Sequence, residues 1–158
     1  MEKIKIFETK RADTRALEKD FTINDVEIDT NYHKEAVHLA CCAIADMLVS
    51  QSKKHDYTKL GAHLPAFYRA LKSGFKDDKF ENLNWYKMHC TEERHHLNKH
   101  CPDDVNLVDV IEMLCDCVTA GMARTGNVYD VEISNDILQK AVKNTVELLK
   151  QNIEVKKS

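Results

Sequence analysis

The stretch ERHHLNKHCPDD, residues 93–104, holds three of the chain's eight histidines, His95, His96 and His100. Imidazole nitrogen is a common ligand of transition metals, and it also carries protons near neutral pH. Two interpretations of this cluster are open from its composition alone. It could form part of a metal site, or it could be the solvated face of a helix.

Other polar residues along the chain favour the metal site. They are His33, the adjacent pair His55 and Asp56, His89, and Asp116, which lies inside an otherwise apolar helical pattern. A carboxylate in such a pattern is costly unless it is paired or bound to a cation. Histidines and carboxylates that converge from several helices are the usual ligands of a two-metal site in a helical protein. If no metal is bound, each residue needs a separate explanation. His33 would be a core histidine, His55-Asp56 a helix cap, the histidine cluster a polar helix face, and Asp116 a buried structural acid.

The overall composition argues against two classes of protein, those that bind extended nucleic acid and those that span a membrane. The chain has 158 residues and a net charge of −3, so it lacks the basic surplus that extended nucleic-acid binding requires. No apolar stretch approaches the roughly 20 residues of a membrane span. The first residues, MEKIKIFETKRAD, contain no apolar segment typical of a signal peptide. We therefore expect a cytoplasmic protein without a membrane partner, and a homo-oligomer is left open.

Only four glycines and two prolines occur, which disfavours an all-β fold with many turns. We predict a single all-α domain over residues 1–158. Residues 1–31 would form a short strand or arm, because residues 3–7 alternate and the apolar residues of 21–28 are spaced as in an extended chain. Residues 32–126 would form the helical core that carries the site, and residues 134–151 would form a final helix that packs on it.

Helical spacing supports these boundaries. In residues 32–51, Val37, Ala40, Ile44 and Leu48 form one apolar stripe, and His33 precedes it by one turn. This position predicts that His33 faces the core. A second long helix is predicted over residues 104–126, where Gly126 is a typical stop signal.

Four motifs in the order His, His-Asp, His, Asp resemble the HD-domain superfamily of metal-dependent phosphohydrolases. HKEAVHLA (33–40) is similar to the first-ligand helix of that superfamily, and HDYTK (55–59) is similar to its HDxGK motif. WYKMH followed by ERHH (85–96) resembles the additional histidines of members with two or more metals, and EMLCDC (112–117) resembles the helix that carries the last aspartate. The similarity covers about residues 33–125. It is closest to an uncharacterised group of small bacterial and phage proteins.

The resemblance implies an HD-domain-like helical bundle with one or two divalent transition metals, such as Mn, Fe, Co, Ni or Zn. His33, His55, Asp56 and Asp116 would hold the first metal. Asp56 would bridge to a second metal, held by His89 and by one or both of His95 and His96. The implied reaction is hydrolysis of a phosphomonoester or phosphodiester in a nucleotide or another small phosphorylated metabolite, by a metal-activated water.

The same resemblance suggests further roles. Asp56, Lys59 and His100 would take part in catalysis, with His100 protonating the leaving group or orienting a ligand. Lys59, Arg94 and Arg124 would bind the phosphate of the substrate. The protein would act in the cytoplasm of a bacterium or of a phage-infected cell.

Three alternatives remain open from the sequence. The same scaffold could hold two irons that activate oxygen, or it could bind and sequester a ligand without catalysis. The histidines could also be incidental to a purely structural protein.

Overall fold

The structure is a computed structural model that describes residues 3–9, 20–77 and 80–157, with side chains described outside residues 74–77. Within these ranges, the α-helices and β-strands in chain order are β1 (Ile4–Phe7), α1 (Ile23–Ser52), α2 (Leu64–Asp77), α3 (Asn84–Glu92), α4 (Leu107–Thr125), α5 (Asn135–Asn152) and β2 (Ile153–Lys156). The predicted all-α fold with a short N-terminal strand is confirmed. None of the helices in the described ranges combines the length and apolar composition that a membrane crossing requires.

The chain divides into two compact units. One contains the described residues up to Met47 and those from Val146 onward, and the other runs from Leu48 to Thr145. Both α1 and α5 contribute residues to each unit. The second unit contains the histidine cluster.

The first unit contains a parallel pair of short strands. Ile4 is aligned with Ile153 and Phe7 with Lys156, so the two strands come from opposite ends of the chain. The ring of Phe7 stacks on that of Tyr32 at a centroid distance of 4.9 Å. The strand over residues 4–7 agrees with the sequence pattern. Its partner β2 was not predicted, because the four residues IEVK carry too short a pattern to separate a strand from the end of α5.

Helix α1 begins at Ile23, so the predicted extended arm over residues 21–28 is wrong. The backbone N–H of Thr22 donates to Asp25 Oδ2 at 2.9 Å, and the backbone N–H of Asp25 donates to the Thr22 hydroxyl at 3.3 Å. This reciprocal cap satisfies amides at the helix start that have no helical partner. It also places the start of α1 before residue 32, where the helical core was predicted to begin.

The predicted core-facing stripe of α1 is wrong at its first two positions. His33 and Val37 are both exposed, Val37 at 48%. The partly buried face of α1 instead includes Tyr32, Ala36 and Ala43. No residue of α1 is fully buried, so a stripe read from spacing alone could not show which face packs.

The second unit has a compact apolar core in which α4 and α5 meet the segment after α3. Its buried members are Leu97, Val105, Val110, Met113 and Ala141. Helix α4 starts at Leu107, because Asn106 and Asp109 form a capping box. It stops at Gly126, whose φ of 75° lies in the left-handed region that glycine adopts readily. The predicted stop is confirmed, and the start lies three residues later than predicted.

Candidate metal centre

Two overlapping groups of side chains in the second unit bring metal-ligating atoms together. The three-histidine group contains Asp56, His89, His95 and His96. The His55 group contains His55, His95 and Asp116. In each group, one ligand atom per residue lies within 4.8 Å of the others. His95 belongs to both groups, so they form one continuous centre.

The His55-Asp56 pair lies in a turn with a strained backbone. Asp56 has a φ of 58°, a left-handed conformation that aspartate tolerates better than most residues. The buried carboxylate of Glu93 holds this turn. It accepts hydrogen bonds from the backbone N–H groups of Asp56 (3.1 Å) and Thr58 (2.9 Å) and from the Thr58 hydroxyl (2.7 Å). Strain that is maintained in this way is typical of functional sites.

The same contacts determine the orientation of His89. The Thr58 hydroxyl donates its only proton to Glu93, so its oxygen accepts from Nδ1–H of His89 at 2.6 Å. The Nε2 lone pair of His89 therefore points into the centre, where it lies 2.7 Å from Nε2 of His96. A hydrogen bond at the distal nitrogen is the usual support for a metal-ligating histidine.

The three-histidine group favours neutral imidazoles. Burial and the neighbouring His96 lower the pKa of His89 to about 3. Burial and the neighbouring His95 lower the pKa of His96 to about 4. Neutral imidazole is the form that binds metals, so both residues are prepared as ligands at physiological pH.

His95 is the most unusual residue of the centre. Its side chain is only 2% exposed, yet neither ring nitrogen makes a hydrogen bond to the described protein, and the same is true of buried Asp56 Oδ1. Each buried polar atom left without a partner costs roughly 1–3 kcal/mol, so the three together cost about 3–9 kcal/mol. The stability of a whole domain is only about 5–15 kcal/mol. A cation among these atoms would remove a cost of that size.

Asp56 belongs to the three-histidine group, and its side chain also faces the His55 group. Its Oδ1 is 3.7 Å from Nε2 of His89 and 3.9 Å from Nε2 of His95. Its Oδ2 is 3.6 Å from Nε2 of His55 and 2.6 Å from Nζ of Lys59. One oxygen thus faces each group, which is the arrangement of a bridging carboxylate.

His55 is held between two acidic side chains of α4. Its Nδ1 lies 2.9 Å from Glu112 Oε1, and its Nε2 lies 3.4 Å from Asp116 Oδ1. Hydrogen bonds to Asp116 and Glu112 raise the pKa of His55 to about 10, and His55 in turn lowers the pKa of Asp116. Burial alone would raise the pKa of Glu112, but contacts with His55, His95 and Gln51 hold it well below its usual range. The two carboxylates that raise the pKa of His55 also favour a bound cation beside it.

Arg94 lies in a supporting network. Its Nε and Nη2 donate to the two oxygens of fully buried Asp109 at 2.7 and 2.8 Å, and its Nη1 lies 3.0 Å from Asp104. Gln51 Nε2 then connects Asp109 (2.8 Å) to Glu112 (2.6 Å). The guanidinium of Arg94 is therefore engaged in this network, and its predicted contact with substrate phosphate stays a prediction.

The structure brings together most of the predicted ligands but not all of them. His55, Asp56, His89, His95, His96 and Asp116 belong to the two groups. His33 is exposed on the part of α1 that lies in the first unit, and it is in neither group. His100 and Arg124 are exposed and also lie outside both groups.

Several supporting residues were missed from the sequence. Glu93, Thr58, Gln51 and Asp109 act through hydrogen bonds to backbone or to other side chains, and such roles have no spacing signature. Glu112 offered a signal, since it precedes Asp116 by one helical turn on the same face.

One family model matches the chain over residues 22–155, and it describes a family of unknown function, DUF5662. The chain belongs to this family. Among curated proteins and among solved structures, none matches it. In this member of DUF5662, the matched region includes all six residues of the two ligand groups. The resemblance to HD-domain proteins stays a prediction.

Proposed function

We propose that this protein is an HD-type, metal-dependent phosphohydrolase that acts on a nucleotide or another small phosphorylated metabolite. The observation that supports this most strongly is the set of three buried, unpartnered atoms on His95 and Asp56. They lie within a centre of four imidazoles and two carboxylates. The three-histidine group would hold one metal and the His55 group a second.

The donor set fits a divalent transition metal. Both groups offer only imidazole nitrogen and carboxylate oxygen, which suit Mn, Fe, Co, Ni or Zn. Calcium prefers a shell made entirely of oxygen ligands. The hydrogen bond from His89 to Thr58 and that from His55 to Glu112 supply the outer support that such ligands usually have.

The bound metals would supply the Lewis acidity that activates a water molecule and neutralises charge on the phosphoryl group. The chain itself orients the reacting groups. Asp56 faces both ligand groups, and Lys59 places a positive charge 2.6 Å from Asp56 Oδ2, at the edge of the centre. A lysine in this position suits a phosphoryl oxygen, which it binds as a compact point charge. This cation favours an anionic substrate over the oxygen chemistry of a di-iron protein.

The test is release of inorganic phosphate by metal-reconstituted protein, with p-nitrophenyl phosphate and nucleoside monophosphates as substrates. We expect Lys59→Met to lower kcat by about 10²-fold, since loss of one donor to the developing charge typically costs that much. Lys99→Met is the matched control, because Lys99 is an exposed lysine paired with Glu81 and lies outside both groups. It should leave kcat unchanged.

Two results would contradict the proposal. One is a fully metal-loaded protein that releases no phosphate from any monoester or diester. The other is oxygen consumption by an iron-loaded protein without phosphatase activity, which would favour the di-iron alternative.

A further inference from the structure

A cavity of about 430 Å³ adjoins the His55 group. The end of α1 lines it with Leu48 and Val49, and α4 lines it with Cys115 and Thr119. His55 and Asp116 belong to both the cavity wall and the ligand group. A cavity of this size is within the range of small-molecule sites. Anything bound in it would lie directly beside a phosphoryl group held at the centre.

The charges around the cavity select against a second phosphate. Among the described residues that line it, none is a lysine or an arginine, whereas Glu112 and Asp116 are acidic. His55 lies between these two carboxylates at the ligand groups. A second phosphate would lie against the other lining residues, which carry no charge: Leu48, Val49, Ser52, Cys115 and Thr119. It would lose hydration there without a cation to neutralise it.

We propose that this cavity binds the uncharged, largely apolar group of a phosphomonoester whose only phosphate lies at the two ligand groups. The inference rests on the proposed function and narrows its substrate class. Aryl phosphates fit this description, and nucleoside monophosphates fit its requirement for a single phosphate on an uncharged group. Nucleoside diphosphates, nucleoside triphosphates and dinucleotides carry additional phosphates that the cavity disfavours.

Binding of uncleaved phosphonates to metal-reconstituted protein tests the inference by isothermal titration calorimetry. The probes are methylphosphonate, phenylphosphonate and 1,4-phenylenediphosphonate, which add first an apolar ring and then a second anion. We expect the wild type to bind phenylphosphonate about tenfold tighter than methylphosphonate, because the ring is buried. The second anion should cancel this gain.

Substitutions on α4 test whether the gain in affinity from the phenyl ring arises in this cavity. Thr119→Trp fills the cavity from an exposed position on the helix. It should weaken the binding of phenylphosphonate about tenfold and leave the binding of methylphosphonate unchanged. Val118→Trp is the control, since Val118 is an exposed neighbour on the same helix that does not line the cavity. Thr119→Lys should strengthen binding of 1,4-phenylenediphosphonate, and it provides a second readout if Thr119→Trp does not fold.

The outcomes separate the two proposals. Equal binding of methylphosphonate and phenylphosphonate, unaffected by either Thr119 variant, would overturn the cavity inference and leave the phosphohydrolase proposal intact. If neither phosphonate binds to protein that carries its metals, both proposals are overturned.

Discussion

Replacing His95 with leucine should abolish metal binding, yet leave the metal-free protein at least as stable as the wild type. The two effects have a common cause. In the wild type, both ring nitrogens of His95 are buried without a hydrogen bond, at a cost of roughly 1–3 kcal/mol each. Leucine removes both unpartnered atoms and keeps an apolar side chain of similar size in the site. It also removes the one ligand that the two groups share.

Thermal and urea unfolding with and without metal measure both effects. At a metal concentration 100 times its Kd, the wild type should gain about 2.7 kcal/mol of stability, while His95→Leu should gain none. His100→Leu is the matched control, because His100 is an exposed histidine of the same cluster outside both ligand groups. A His95→Leu variant that is less stable without metal and still stabilised by metal would show that His95 is an ordinary structural histidine.

Arg94→Met should destabilise the protein by about 3 kcal/mol. The guanidinium makes two short hydrogen bonds to Asp109, which is completely buried. Removing one partner of a buried ion pair leaves an uncompensated charge, which typically costs about 3–5 kcal/mol. The lower end is expected here, because Asp109 keeps hydrogen bonds from Gln51 and from the backbone of Asn106.

The comparison with Asp104→Ala separates the two partners of Arg94. Asp104 is 80% exposed, so its loss should cost less than about 1 kcal/mol in urea unfolding. Arg94→Met could instead leave the stability unchanged and raise the KM for the phosphorylated substrate. That result would show that Arg94 binds substrate. It would also support the phosphate-binding role that the resemblance to HD-domain proteins suggests for Arg94.

The sequence could show which residues come together where short motifs carry side chains that are able to bind a metal. His55-Asp56, His89, His95-His96 and Asp116 all carry side chains that can bind a metal, at spacings that local structure preserves. They meet in one centre of the second unit. The capping pattern of α4 and its glycine stop are also local, and the stop was correctly predicted.

His33 illustrates why the remainder could not be predicted. Its place in an apolar helical pattern indicated a buried face, but α1 is a 30-residue helix without a fully buried residue. Which face of such a helix packs depends on contacts with distant parts of the chain. The same holds for β2, whose partner lies almost 150 positions earlier: Ile153 pairs with Ile4. Glu93 is a comparable case, since its importance arises from a turn 35 residues earlier along the chain.

Metal content of the freshly purified protein, measured by inductively coupled plasma mass spectrometry, shows whether the centre binds metal. We expect one or two equivalents of a transition metal per chain, corresponding to the two ligand groups. Asp56→Ala should lose the metal of the three-histidine group. Asp116→Ala should lose only that of the His55 group. A wild-type chain that stays metal-free after reconstitution with Mn, Fe, Co, Ni and Zn would show that the two ligand groups do not bind metal.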